Sequence, residues 1–191
     1  NGSNGSTYAD ELIINNCVNN GEIEGDTVAG IIGNSSGNLK LSDCENNGAI
    51  NGRYSAGGIA QCIENKNSNE AEVSNCINNG NVFGGAEAAG IIDYAEGITV
   101  TNCINNGNIS SNGYVGGIFS YTSSVKGTGL VNNGKISGLE DIGGISAYDE
   151  GNSIFSKLYN TGVIDEENIG AQVSNLVKLG ESSTGEELEE E

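Results

Sequence analysis

Cys103-Ile-Asn-Asn-Gly-Asn-Ile109 decides the fold, because this block recurs along the whole chain. Before it stand Cys17-Val-Asn-Asn-Gly-Glu-Ile23, Cys44-Glu-Asn-Asn-Gly-Ala-Ile50 and Cys76-Ile-Asn-Asn-Gly-Asn-Val82. After it come Leu130-Val-Asn-Asn-Gly-Lys-Ile136 and Leu158-Tyr-Asn-Thr-Gly-Val-Ile164. The intervals along 17→44→76→103→130→158 are 27, 32, 27, 27 and 28 residues. A second block follows each first one: Gly30-Ile31, Gly58-Ile59, Gly90-Ile91, Gly117-Ile118, Gly144-Ile145 and Gly170-Ala171. A weaker third block precedes it, as at Leu39-x-Leu41, Val73 or Ile98-x-Val100. Three extended blocks per period predict an all-β chain: a right-handed parallel β-helix (β-solenoid) of about six coils with three strands per coil.

Side chains alternate along a strand, so Cys103, Asn105, Gly107 and Ile109 share one side of it. Stacking coils ~4.8 Å apart superimposes like residues in columns. One is the apolar column Cys17, Cys44, Cys76 and Cys103, continued by Leu130 and Leu158. Another is the ladder Asn19, Asn46, Asn78, Asn105, Asn132 and Asn160, whose buried amides bond to one another and to backbone carbonyls at a bend. The glycine column from Gly21 to Gly162 marks backbone that a Cβ would obstruct. A second amide row, Asn20, Asn47, Asn79, Asn106 and Asn133, reads either as a surface ladder or as a comb for a sugar or ice. Helices fail at this density of Gly and Asn, and the periodicity opposes a disordered Gly/Asn tract.

Residues 1–11 read as a polar lead or linker, 12–179 as the solenoid, and 180–191 as a solvated acidic tail. The lead lacks the features of a signal peptide, so further solenoid or further domains of a longer chain are expected around this segment. The 32-residue interval places an inserted surface loop around Glu64–Glu70, with register unchanged on either side. The net charge of −19 repels phosphate backbones and anionic bilayers, which argues against nucleic acid and anionic membrane surfaces as partners. No apolar run approaches the ~20 residues that a membrane helix requires.

With no His in the chain, His-dependent nucleophiles and zinc-hydrolase motifs are excluded. No CxxC pair exists. Exchange of Cys with Leu in one column points to buried free thiols, with neither a metal nor a cofactor to bind. Cys62 sits in a different column and is expected to face outward. Among acids, Glu64 and Glu96 share a column on adjacent coils with Glu150 two coils on, and Asp141 aligns with Glu167. Such pairs are tested against Ca²⁺ and acid–base roles. Without a third acid nearby they read as solvated surface, and the chain reads as non-catalytic. Four residues after the Gly of the second block come Asn34, Cys62, Tyr94, Tyr121 and Tyr148. Tyr94, Tyr121 and Tyr148 then form an outward ladder, the expected ligand-binding strip for a glycan or a host or cell-surface protein.

Asn105-Asn-Gly-Asn-Ile109 with Gly116-Gly-Ile118, and Asn132-Asn-Gly-Lys-Ile-Ser-Gly138 with Gly143-Gly-Ile145, resemble the GLUG motif of bacterial surface proteins. That motif occurs in adhesin-like proteins and beside bacterial immunoglobulin A1 metalloproteases. The resemblance covers roughly residues 17–171 and implies an extracellular or cell-surface setting. The resulting expectation is a non-catalytic stalk, spacer or adhesive module. A glycan-binding or glycan-cleaving β-helix of the polysaccharide lyase or glycosidase kind is the alternative.

Overall fold

The structure, a computed structural model, describes residues 11–65, 71–166, 172–174 and 176–179. Among them there is no helix, and every strand pairing is parallel. The strands stack as a β-solenoid of six coils, spanning residues 12–36, 39–64, 72–96, 99–123, 126–149 and 154–179. Three sheets run along its length, here called A, B and C in the order the chain visits them within a coil.

Coil 3 shows the pattern: Glu72–Ser74 and Ile77–Asn78 in sheet A, Val82–Gly84 and Glu87–Ala89 in sheet B, then Ile92–Glu96 in sheet C. Three sheets thus hold five strands in such a coil, because sheets A and B are each bent midway. The bend in sheet A has a local cause. Asn16, Asp43, Asn75 and Asn102 occupy one column in the left-handed region, with φ of 53–54°, and Gly129 and Lys157 continue it at 67° and 54°. Short polar side chains and glycine tolerate that conformation best.

Like residues stack as the repeat requires. Asn78 lies between Asn46 and Asn105, Val82 between Ile50 and Ile109, and Tyr121 between Tyr94 and Tyr148. The inserted residues 66–70 lie outside the described residues, but register holds on both sides of them: Glu64 pairs Glu96, and Val73 pairs Leu41 and Val100. The lead before Glu11 and the tail from Gly180 also lie outside the described residues.

The last coil departs from the expected alignment. Asp141 pairs Gln172, and the Ile145 amide donates to the Leu176 carbonyl at 2.7 Å. In the sixth coil Leu176 therefore stands beside Ile145 and Gln172 beside Asp141, while Glu167, Gly170 and Ala171, expected at those places, lie outside the described residues. An apolar column needs a large side chain beside Ile145, and Leu176 packs against the core there.

The interior holds two apolar clusters. The larger gathers Leu39, Cys44, Cys76, Ile91, Cys103 and Phe119 among others; the smaller is Ile50, Val82, Ile109 and Ile136 with Ala56, Ala88, Val115 and Ile142. The asparagine ladder runs between them. Asn46, Asn78, Asn105 and Asn132 are fully buried. Each donates to the next Asn Oδ1 at 2.7–2.9 Å and to the glycine carbonyl two residues on at 2.8–2.9 Å. On its far side the ladder meets the glycines of the second block. A Cβ on Gly58 would lie 2.6 Å from Asn78 Cγ, and one on Gly90 2.5 Å from Asn105 Cγ.

Candidate functional site

Tyr94, Tyr121 and Tyr148 project outward from sheet C and stack. Their ring centroids lie 4.8 Å and 5.3 Å apart, with interplanar angles of 6° and 22°. The Tyr94 hydroxyl donates to Glu96 Oε2 at 3.0 Å, and Tyr121 hydrogen-bonds Glu150. Burial, followed by the adjoining carboxylate, pushes both phenols well above their usual range. The expected outward ladder is present in the expected register. Its ring faces, however, are turned on one another, so the strip offers hydroxyls and ring edges instead of open aromatic planes.

This ladder forms one wall of a groove. Val115 points into the core, so the Gly116 side-chain direction is outward, and a Cβ there would overlap the Phe119 carbonyl oxygen. Gly143 and Gly57 meet the Ser146 and Ala60 carbonyls in the same way. The outer side of sheet B therefore turns toward the backbone of sheet C, and the corner is re-entrant. The facing wall is the column Ser55, Glu87, Tyr114 and Asp141. Asp141 joins it because Val115 pairs Ile142, its neighbour. Tyr114 bridges the two walls, standing edge-on to Tyr148 with centroids 5.9 Å apart.

Asp93 lies under the groove, fully buried. Its Oδ1 accepts from Ser120 Oγ at 2.5 Å, and its Oδ2 from Gln61 Nε2 at 3.3 Å. Burial raises the Asp93 carboxyl to about 7, while the Ser120 hydrogen bond opposes that rise. Ser55 Oγ reaches Glu87 Oε2 at 3.3 Å.

The thiols need two corrections. Cys44, Cys76 and Cys103 are buried, and all five thiols are unbridged. Cys17, expected inside with them, is exposed, because its coil is the first described and has a neighbour on one side only. Cys62, expected to face solvent, is 8% exposed. It occupies the outward column between Asn34 and Tyr94, where its short side chain is covered, and its Sγ lies 3.9 Å from Glu64 Oε1. Burial pushes the Cys44 and Cys62 thiols up to about 11, which makes both poor nucleophiles. Cys44, Cys76 and Cys103 donate to the carbonyl two residues back, Cys44 to Ser42 at 3.1 Å and Cys103 to Thr101 at 3.4 Å, whereas the Cys62 thiol is directed at Glu64.

Glu64 and Glu96 are adjacent in register, as expected. No group of three or more acids or cysteines placed to hold a metal ion occurs among the described residues. Sequence reading missed the Glu87 wall and Asp93. The wall column shows the 27-residue period (Glu87→Tyr114→Asp141), but periodicity does not tell a re-entrant corner from a convex one. No protein-family profile, curated protein or solved structure matches this chain.

Proposed function

We propose that this chain is a non-catalytic β-solenoid module of a bacterial cell-surface or secreted protein, a stiff stalk that presents an adhesive strip centred on Tyr94, Tyr121 and Tyr148. One observation carries the reading: like residues stack coil on coil, with local irregularities only between Gly25 and Thr27 and between Ser146 and Asp149 among the described pairings, and on that frame a stacked aromatic row faces outward. Repeat stacks of this kind hold surface groups at fixed spacing with little ordering cost on binding. The GLUG-like blocks support the surface setting. A glycan or a host or cell-surface protein is the partner class.

A glycan-cleaving role fits less well. Two carboxylates must flank the scissile bond, and in this groove Asp93 is wholly covered while the partly exposed Glu87 and Asp141 stand on the same wall, two coils apart.

Tyr121→Ala tests the reading, with Tyr121→Phe as the variant that keeps the stack. The alanine variant is expected to lose adherence to cells or immobilised glycans by about fivefold or more, at roughly 1 kcal/mol per ring. Its circular dichroism should be unchanged. A lower melting temperature with full adherence would make the ladder purely structural and remove the site.

A further inference from the structure

The groove has a chemical character that narrows its partner. We propose that it binds an extended cationic peptide, a lysine- or arginine-bearing segment of a partner protein, laid along the solenoid axis between Glu87 and the tyrosine ladder. This deepens the adhesive reading and rests on it.

Shape is the first argument. The two walls run in register, and Tyr114 meets Tyr148 across them between coils 4 and 5, so the open trough runs from coil 2 to coil 4, two steps of ~4.8 Å or about 10 Å. About three extended residues at ~3.3 Å each span that length. A straight trough between parallel columns suits a strand-like segment better than a folded surface.

Charge is the second. Glu87 stands on one wall, and Glu150 hydrogen-bonds Tyr121 on the other. From coil 2 to coil 5 no base occupies either column: Lys40, Lys126 and Lys157 lie on sheet A, Lys135 pairs Asp165, and Arg53 is turned onto Tyr54 with Asp26 3.8 Å away, while Lys178 belongs to the sheet C strand of coil 6. The chain as a whole carries −19, which draws cations toward a concave acidic surface and speeds their encounter.

The tyrosines supply the third. A sugar recognised by aromatic stacking needs an open ring face, and Tyr121 has both faces covered by Tyr94 and Tyr148. The edges and hydroxyls that remain suit the aliphatic stems and the N–H donors of Lys and Arg. The hydroxyls already lean on Glu96 and Glu150, so phenol oxygen and carboxylate together present acceptors to an incoming ammonium or guanidinium.

Fluorescence polarisation with a labelled peptide alternating lysine and serine tests this on the full chain. A glutamate–serine peptide and a neutral β-linked glucose oligomer serve as the other probes. The lysine peptide should bind, and Glu87→Gln and Tyr121→Phe should each weaken it about fivefold. Glu45→Gln, an equal charge change on the outer side of sheet A, should leave it within about twofold. Raising salt from about 0.05 M to about 0.5 M should weaken binding further. Equal losses in Glu87→Gln and Glu45→Gln would mean attraction to net charge, with no site, and overturn the proposal. So would absence of lysine-peptide binding. Glucose-oligomer binding or retained cell adherence in that case leaves the adhesive reading standing, whereas loss of all three removes both.

Discussion

Two asparagine rows run the length of the solenoid one residue apart, and they are held in opposite ways. The inner row, Asn46 to Asn132, is sealed between two apolar clusters. Each amide there spends both hydrogens, one on the next coil and one on a glycine carbonyl. The outer row, Asn47 to Asn133, is exposed and makes a single rung per coil at 2.8–2.9 Å. Even the direction differs: Asn105 donates toward Asn132, whereas Asn106 donates back toward Asn79. The same residue at the same period therefore serves as an obligatory core component in one row and a surface option in the other. What separates them is strand alternation, which puts neighbours on opposite faces.

The largest expected effect follows from that difference. Asn78→Ala removes a side chain that satisfies Asn46 Nδ2, Asn105 Oδ1 and the Gly80 carbonyl. Each orphaned buried group costs roughly 1–3 kcal/mol, so a loss of about 4 kcal/mol or more is expected from urea denaturation. A loss under about 1 kcal/mol would show that the inner ladder is no more essential than the outer one.

A second test uses a buried polar group that belongs to no uniform ladder. Gln61, Asp93 and Ser120 occupy one position on successive coils and satisfy each other by mixed chemistry. Asp93 has an ordinary carboxyl value of 3.8, raised to about 7 in the fold chiefly by burial. Because the folded value is the higher one, the stabilisation is fully present below about 4 and is lost as pH rises toward about 7. Asp93→Asn should therefore gain on the wild type between about pH 5 and pH 8, by at most about 4 kcal/mol at ~1.4 per pH unit. A constant difference across that range would mean the carboxyl is charged throughout.

These two sites mark where the sequence can be read and where it cannot. Asn78 was legible because its column repeats without exception, and stacking turns an exact period into a spatial neighbour. Tyr94, Tyr121 and Tyr148 were legible for the same reason. Asp93 was not, since Gln61, Asp93 and Ser120 share no chemistry that a column-by-column reading would notice. Cys62 was assigned to the correct outward column, where its short side chain is nonetheless covered. The concave corner depends on backbone direction at Gly57 and Gly116. Alternation sorts inside from outside along one strand; it does not report when two outsides face each other. The sixth coil failed for a related reason, because Gly170-Ala171 imitates the block in sequence, whereas Leu176 stands beside Ile145.

A third asparagine-rich row sharpens the contrast: its side chains are exposed, and one rung joins Asn75 Nδ2 to Asp43 Oδ1 at 3.2 Å. Asn75 and Asn102 hold φ of 53°, and Lys157 sits in the same column at 54°. A lysine there has no side-chain compensation for the left-handed backbone. Lys157→Asn should raise stability by about 0.5–1 kcal/mol, read as a higher urea midpoint with unchanged slope. A drop would mean that the column is set by side-chain contacts rather than by backbone conformation.

The smallest effect is expected from the outer row, and it bears most directly on the comparison. Asn106→Ala removes one bond to Asn79 and one from Asn133, at 2.8 Å each. All three side chains are exposed, so water replaces the lost partners and no group is left dry. The backbone amide of Asn106 still donates to the Asn78 carbonyl at 2.7 Å, so the coil keeps its rung. The change should fall within about 0.5 kcal/mol of the wild type. Small effects can add along a ladder, so the decisive measurement is the double variant Asn79→Ala with Asn106→Ala. Independent surface rungs predict a sum of the single effects to within roughly 0.5 kcal/mol. A double loss well beyond that sum would reveal a cooperative outer ladder, and would make the two rows differ in degree rather than in kind.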